Sequence, residues 1–321
     1  QIWPFKYYLM QHTVSEKFMN NLLDTLSVSC IFCTVKVKNL LNMNNSQVTK
    51  AYNSLVGTSE AIRMLNLKRV STFFSVRLIH SSNESKKWEQ WLAGLIDGDG
   101  SFLLSKKGYA SLEITMDIRD EHTLQIVKNV YGGSIKLRSG ANALRYRLHH
   151  KSGLLKLIHD VNGHIRNSNR LVQLNKICHK YEIKLIYPQK LTFDNGWLSG
   201  FFDADGTVTI NTTVTQLSIS LSQKTSELLQ PLLEIYGGKI YIDRGSSQSF
   251  KWYITKREDI LNLIEYFKKY PSRSSKKNRL HLIPKYYELI DLKAHKALPD
   301  TFLEKSWKYF NNKWLKYEDL N

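Results

Sequence analysis

The chain has 321 residues, of which 42% are hydrophobic, and this proportion is sufficient for packed cores in two or three domains. Its 46 Lys and Arg residues against 28 Asp and Glu residues give a formal net charge of +18, so a polyanion such as nucleic acid is the expected partner. No uninterrupted apolar run reaches the roughly 18 residues of a membrane-spanning helix, so we expect no membrane partner.

Residues 1–86 precede the repeated part of the chain, and their sequence indicates no function. They include Cys30 and Cys33 in a C-x-x-C spacing. A zinc or redox site is one interpretation, but the chain has no second C-x-x-C, so two buried or incidental thiols are favoured. With Cys178 the chain has 3 cysteines, which suits a reducing compartment better than a disulfide framework. Because the first residue is Gln1, we also expect a fragment of a longer reading frame.

The rest of the chain contains an internal duplication. The segment WLAGLIDGDG at 91–100 reappears as WLSGFFDADG at 197–206, an offset of 106 (197 − 91). Two later landmarks, YGG and NRL, recur in the same order at offsets of 105 (236 − 131) and 109 (278 − 169). Because three landmarks keep their order and almost their spacing, we predict two copies of one structural unit. The predicted repeats are 87–186 and 197–292, joined by a linker at 187–196.

Each repeat is predicted to fold as helix, two strands, helix, two strands and helix, which is an α+β fold class. Strands are predicted where apolar and polar residues alternate, as they do over 112–119, 144–149, 217–222 and 250–255. The polar sides carry the candidate nucleic-acid-binding residues Lys136, Arg138, Arg145, Arg147, His149, Lys251 and Tyr253. Any solvated sheet face alternates in this way. The recurrence in both repeats of a basic chain nevertheless favours a saddle that faces nucleic acid.

Residues 293–321 follow the second repeat and are predicted to form an aromatic-rich helical segment. Its aromatic residues include Trp307, Tyr309, Phe310, Trp314 and Tyr317. Stacking of these rings on bases is one alternative. Their spacing favours packing of the segment against the body of the protein.

The duplicated motif predicts two helices that pack closely against each other. Each copy has an apolar helical face and a pair of small residues, Ala93-Gly94 and Ser199-Gly200. Gly inside a helix costs roughly 0.5–1 kcal/mol relative to Ala, so its presence indicates that two backbones approach closely. The inner acids of the motif, Asp97 and Asp203, are interpreted as capping or structural residues.

Asp99 and Asp205 are the candidate metal ligands. Gly100 and Gly206 are predicted to end the two helices in a left-handed conformation, which places these acids in the last turns. A carboxylate there faces the negative end of the helix dipole at a cost of roughly 0.3–1 kcal/mol, and pairing adds repulsion. The arrangement therefore requires a cation. Mg²⁺ is predicted, because it binds through one or two carboxylates plus substrate phosphates and can hydrolyse phosphodiesters.

Both motifs resemble those of the LAGLIDADG homing endonucleases and group I intron maturases, in particular the two-motif, single-chain members encoded in mitochondrial cytochrome b introns. The resemblance covers about residues 88–292. It implies two αββαββα repeats related by pseudo-symmetry, with saddle-shaped antiparallel sheets packed through a central helix pair, and it makes Asp99 and Asp205 the metal-binding acids. In the family a basic residue near the end of each repeat organises the attacking water. Arg166 and Lys276 fall in about the right places, although a phosphate contact or a solvated charge is an equal alternative.

The resemblance leaves two functions open. A maturase would bind its group I intron RNA and assist folding and splicing, whereas a homing endonuclease would cut double-stranded DNA with Mg²⁺. The intact acid pair favours cleavage, while the basic N-terminal extension favours the maturase, which we prefer; a structural protein is a third alternative. Gly98 stands where the family usually has Ala, and this change removes no ligand. The resemblance also implies a mitochondrial matrix location, a pseudo-twofold monomer and a helper splicing protein as a further partner.

Overall fold

The computed structural model describes residues 82–243 and 248–317. Cys30, Cys33 and nearly all of the predicted N-terminal extension lie outside the described residues. The helices are α1 (Ser82–Asp99), α2 (Glu121–Tyr131), α3 (Lys151–Val161), α4 (Ser168–Lys180), α5 (Trp197–Asp205), α6 (Gln230–Tyr236), α7 (Arg257–Lys269), α8 (Lys277–Asp291) and α9 (Phe302–Leu315). The strands are β1 (Gly100–Leu104), β2 (Ala110–Asp117), β3 (Ser134–Leu137), β4 (Ala143–Leu148), β5 (Gly206–Asn211), β6 (Gln216–Gln223), β7 (Lys239–Asp243) and β8 (Ser249–Ile254).

The strands form two four-stranded antiparallel sheets with the same topology. Their strand orders are β1-β2-β4-β3 and β5-β6-β8-β7. The registers also agree, because Gly100 pairs with Ile114 in the first sheet, as Gly206 pairs with Leu221 in the second. Alternate residues of β2 are buried, whereas in β6 three consecutive residues, Ile219, Ser220 and Leu221, are buried. The predicted α+β class with two pseudo-symmetric repeats is therefore confirmed.

Each repeat ends in two helices, one more than the predicted order. In the first repeat α3 stops at Val161, and α4 starts after Asn167, whose side chain caps it by accepting from the backbone N–H groups of Asn169 and Arg170. In the second repeat a Pro271 break separates α7 from α8. The first motif helix also begins at Ser82, ahead of the predicted repeat boundary at 87.

The two motif helices, α1 and α5, pack at the centre of the described chain with their backbones in close approach. A Cβ added to Gly94 would lie 2.0 Å from the carbonyl oxygen of Trp197, and one added to Gly200 would lie 1.7 Å from that of Trp91. Both distances are far below any real Cβ contact. The predicted reason for glycine at these positions is therefore confirmed.

The glycines that follow the motifs do not adopt the predicted left-handed conformation. Gly206 has φ −74° and ψ 150°, and Gly100 is not among the described glycines with positive φ. Each glycine instead starts a strand, and a side chain is excluded there for steric reasons. A Cβ on Gly206 would lie 2.2 Å from the ring of Phe202, and one on Gly100 would lie 2.7 Å from the Cα of Ile96.

The inner acids of the motifs hold the helix pair together by a reciprocal exchange. The indole N–H of Trp91 on α1 donates to Asp203 on α5 at 2.8 Å, and that of Trp197 on α5 donates to Asp97 on α1 at 2.7 Å. Asp203 also accepts from the backbone N–H of Arg273 at 2.8 Å. Both acids are 1% exposed and multiply hydrogen-bonded, in agreement with the structural role predicted for them.

The C-terminal helix α9 packs against α8, in agreement with the predicted docking of the aromatic segment. Phe310 and Trp314 are buried, and Trp307 and Phe310 both lie close to the ring of Tyr286. Tyr309, by contrast, is exposed. Across the described ranges, no helix combines the length and the apolar character needed to cross a membrane.

Candidate metal centre and nucleic-acid interface

Asp99 and Asp205 end the two motif helices and line one cleft of about 540 Å³. Close packing of α1 and α5 brings them there, and Gly98 makes the approach possible. A Cβ at residue 98 would lie 2.6 Å from Oδ2 of Asp205 and 2.3 Å from the Cβ of Ala204. The departure from the usual Ala therefore has a steric reason, and the alanine would displace the second carboxylate.

The cleft disfavours two negative charges. Burial raises the pKa of Asp99 to about 7, and the neighbouring carboxylate of Asp205 contributes to that rise. Burial also raises the pKa of Asp205, while the charge of Lys276 opposes the shift. Two close carboxylates with raised pKa values form a site that a divalent cation would stabilise by removing the repulsion.

The donor set fits a hard cation that takes its remaining ligands from water and substrate. Within the described ranges, no group of three or more His, Cys, Asp or Glu side chains is arranged to hold a metal. Asp99 and Asp205 are the carboxylates that the two motif helices bring into this open cleft. A divalent cation at this site would complete its coordination with water and substrate phosphates.

Lys276, a predicted catalytic residue, lies in the same cleft. It precedes α8 and its Nζ donates to the carbonyl oxygens of Phe202, Asp203 and Ala204 at 3.2, 2.9 and 2.6 Å. These carbonyls form the last turn of α5, so the ammonium offsets the negative end of that helix. Burial lowers the pKa of Lys276, while the surrounding Asp residues act in the opposite direction.

Arg166, the other predicted basic catalytic residue, does not join the acid pair. Its guanidinium donates to the carbonyl oxygen of Gln189 at 2.9 Å and lies over the ring of Trp197, 5.7 Å from the centroid. The first-repeat cation whose charge lowers the pKa of both Asp99 and Asp205 is Arg170. Arg170, and not Arg166, is therefore the first-repeat cation whose charge reaches the acid pair.

Gln223 is a site residue that sequence reasoning missed. Its Nε2 donates to Oδ2 of Asp205 at 2.6 Å, which fixes the orientation of that carboxylate. Asp117 and Asp120 also line the cleft. The only sequence signal for Gln223 was its position at the end of an alternating strand, and the strand register was needed to place it beside the motif.

The first sheet presents the predicted basic face. Its depression of about 970 Å³ is lined by the predicted residues Lys136, Arg138, Arg145, Arg147 and His149. Glu113 lies between two of them, forming an ion pair with Arg145 at 3.6 Å and a hydrogen-bonded pair with Arg147. The predicted basic residues thus share one face of the sheet, but the carboxylate of Glu113 reduces the positive charge of that face.

The second sheet has a different chemistry. Lys251 and Tyr253 line its depression of about 420 Å³ together with Tyr241, Ser218 and Ser220. Tyr241 and Tyr253 meet edge to face with centroids 5.1 Å apart. This face offers hydroxyl groups and aromatic rings where the first sheet offers guanidinium groups.

The sequence model described as LAGLIDADG endonuclease matches residues 92–181 and 198–287, one match in each repeat. Among curated proteins, the chain is 40% identical to the intron-encoded RNA maturase bI4 of Saccharomyces cerevisiae over 346 aligned positions, covering 96% of this chain and 54% of that protein. It is 38% identical to the probable intron-encoded endonuclease aI2 of Debaryomyces hansenii, covering 88% of this chain and 47% of that protein. The chain thus spans about half the length of these two relatives.

One more curated protein and two solved structures are also similar to the chain. The chain is 40% identical to the intron-encoded DNA endonuclease ai2a of Dictyostelium discoideum, covering 74% of this chain and 79% of that protein. The solved structure of the LAGLIDADG homing endonuclease I-LtrWI bound to target DNA has a TM-score of 0.53 at 16% identity, covering 72% of this chain and 98% of that one. I-SmaMI bound to an uncleaved DNA target in the presence of calcium ions has a TM-score of 0.50 at 19% identity, covering 70% and 97%.

Proposed function

The chain belongs to the LAGLIDADG endonuclease family, and from this premise we propose that it is a maturase that binds a group I intron RNA and assists its folding and splicing. The observation that carries the proposal is the extent of the likeness to the RNA maturase bI4. A coverage of 96% leaves about 13 of 321 residues unmatched (0.04 × 321), so the match includes most of residues 1–86. The family match, by contrast, is confined to the two repeats.

In this proposal the two sheet faces bind the sugar-phosphate backbone. Lys136, Arg138 and Lys251 supply positive charge, and Tyr253 supplies a ring on which a base can stack. The protein acts as a monomer, because its two repeats already provide both halves of the saddle. We place it in the mitochondrial matrix with its intron RNA, and a helper splicing protein is a further proposed partner.

A second candidate function, cleavage of double-stranded DNA, is favoured by the intact acid pair. Mg²⁺ held by Asp99 and Asp205 would supply a polarised water and neutralise charge on the scissile phosphate. Gln223 orients the Asp205 carboxylate through its 2.6 Å hydrogen bond. The Lys276 ammonium, fixed by three backbone carbonyls, places positive charge where negative charge develops on the phosphate.

A paired assay separates the two functions. For the full-length chain, we expect the Asp99→Asn variant to keep its stimulation of intron splicing, because the sheet faces are unchanged. The same variant should lose cleavage of joined-exon DNA by at least about 100-fold, since it removes half of the acid pair. The measurements are splicing rates of the intron RNA and the appearance of nicked or linear plasmid in Mg²⁺. Loss of splicing stimulation in an Asp99→Asn protein with wild-type circular dichroism would contradict the maturase proposal.

Binding of the RNA should depend steeply on salt, because each phosphate contact releases counterions. Lys136→Gln should reduce the slope of log affinity against log salt by about one, as expected for one lost contact. Lys86→Gln is the matched control, because Lys86 is exposed near the opposite end of α1 from Asp99. Filter binding over a salt series measures both slopes. Affinity that is independent of salt would contradict the role of the sheet faces.

A further inference from the structure

The strand registers allow the two halves of the acid cleft to be compared position by position. Gly100 pairs with Ile114, and Gly206 pairs with Leu221. Two residues beyond these partners, on the same strands, stand Met116 in the first repeat and Gln223 in the second. Met116 lines the cleft, and Gln223 donates to the carboxylate of Asp205. Met116 and Gln223 therefore occupy equivalent positions with different chemistry.

The difference changes how each acid is held. The amide of Gln223 donates to Asp205 at 2.6 Å, whereas the thioether of Met116 has no N–H or O–H to donate. Met116 is 4% exposed and lines the cleft together with Asp99. Within the described part of the chain, the carboxylate of Asp99 accepts no side-chain hydrogen bond, and its orientation is correspondingly less restricted.

A second pair of equivalent positions, Asn167 and Lys276, also differs in chemistry between the two repeats. Asn167 and Lys276 are the N-cap residues of the last helices of the two repeats, α4 and α8. Each reaches back to the end of its own motif helix: Nδ2 of Asn167 donates to the carbonyl oxygen of Asp97 at 3.2 Å, and Nζ of Lys276 donates to that of Asp203 at 2.9 Å. The position is neutral in the first repeat and cationic in the second.

The remaining cation of the first half does not replace Lys276. Arg170 lowers the pKa of Asp99 and Asp205, but it lies in the first turn of α4, where its Nη1 donates to Gln173 at 3.4 Å, and it does not line the cleft as Lys276 does.

We infer that the acid cleft is one-sided: the second repeat, with Asp205, Gln223 and Lys276, is equipped to hydrolyse one phosphodiester, and the first repeat is not equipped to match it. On duplex DNA the protein therefore nicks one strand. In that step a water oxygen bonds to phosphorus, the ester P–O bond breaks, and the proton lost by the water is balanced by one taken up by the leaving oxygen. The inference rests on the second candidate function, DNA cleavage.

The first test uses the full chain, Mg²⁺ and a supercoiled plasmid that carries the joined exons. We expect nicked circles to accumulate, with the cut in one strand when each strand is end-labelled, and the second cut about 100-fold slower. The double variant Met116→Gln with Asn167→Lys should speed the second cut and convert nicked circles to linear DNA. Equal cutting of both strands by the wild-type protein would overturn the inference.

A second measurement tests the one-sided cleft even when no DNA is cut. Calorimetric titration of the protein with Mn²⁺ should show about tenfold weaker binding for Gln223→Met, the loss typical of a residue that orients a metal-ligating carboxylate. Met116→Leu, at the equivalent position, should leave the affinity unchanged. If this difference appears while the plasmid stays intact, DNA cleavage fails as a function and the one-sided cleft stands. Equal affinities for Gln223→Met and wild-type protein would overturn the inference itself.

Discussion

Replacing Gly200 with alanine is expected to destabilise the folded protein by at least about 3 kcal/mol, the upper part of the range for overpacking. The added Cβ would lie 1.7 Å from the carbonyl oxygen of Trp91 and 2.8 Å from the backbone N of Leu95. These are backbone atoms of the facing helix, so no side-chain rotation relieves the clash. The helix pair must separate, and both Trp–Asp hydrogen bonds across it would be strained. Helix propensity alone would favour alanine by roughly 1 kcal/mol, so the predicted sign is opposite to that of an isolated helix.

Urea unfolding of the full chain measures this effect, with Gly140→Ala as the control. A Cβ on Gly140 meets no atom within 4 Å, but its φ is +73°. That variant should lose only about 1 kcal/mol from backbone strain. If Gly200→Ala were as stable as the wild-type protein, α1 and α5 would not pack in solution as they do in the structure, and the acid cleft would lose its basis.

The duplicated motif was sufficient to predict the helix pair with Asp99 and Asp205 at its ends, whereas the strands were predicted from the alternation of apolar and polar residues. It was sufficient because identical spacing in both copies imposes the same helix face and the same terminal carboxylate on each. The reason that glycine stands at position 98 could not be predicted from the motif. Its requirement comes from the position of Ala204 and Asp205 on the other helix, a contact that exists only after the helices pack.

The basic residues show why sequence spacing alone misplaced one catalytic candidate. The loop residues whose backbone N–H binds Oδ2 of the inner acids are Arg166 and Arg273, at an offset of 107 (273 − 166). The helices that follow begin at Ser168 and Lys277, at an offset of 109 (277 − 168). The second repeat thus has two extra residues between these points, and they bring Lys276 to the helix cap. Arg166 is equivalent to Arg273, which does not belong to the cleft.

Without a divalent ion, Asp99→Asn is expected to stabilise the protein in alkaline solution. The folded-state pKa of Asp99 is raised from 3.8 to about 7, by burial first and then by Asp205. The folded state therefore holds a proton that the unfolded state has lost, and stability falls as pH rises from about 4 to about 7. Above about pH 7 the charged Asp99 carboxylate destabilises the folded protein fully, and the neutral amide of Asp99→Asn removes this destabilisation. In an open, partly solvated cleft we expect about 1–2 kcal/mol, or a few degrees in melting temperature.

The pH dependence distinguishes this effect from a general change in packing. As pH falls from about 7 toward about 4, most of this destabilisation disappears, so the melting temperatures of Asp99→Asn and wild-type protein should approach each other. Above about pH 7, millimolar Mg²⁺ should stabilise the wild-type protein and have little effect on the variant, which has lost one ligand. Differential scanning calorimetry with EDTA or Mg²⁺ over this pH range gives all of these values.

Asp117 in the same cleft provides a control of opposite sign. Its hydrogen bonds with Arg119 lower the pKa of its carboxyl, so its stabilising contribution is present above the unfolded pKa and is lost as pH falls. Asp117→Asn should therefore lower the melting temperature at neutral pH, where Asp99→Asn raises it. If both variants shifted the melting temperature in the same direction, burial and the neighbouring Asp205 would not be the cause of the destabilisation by Asp99.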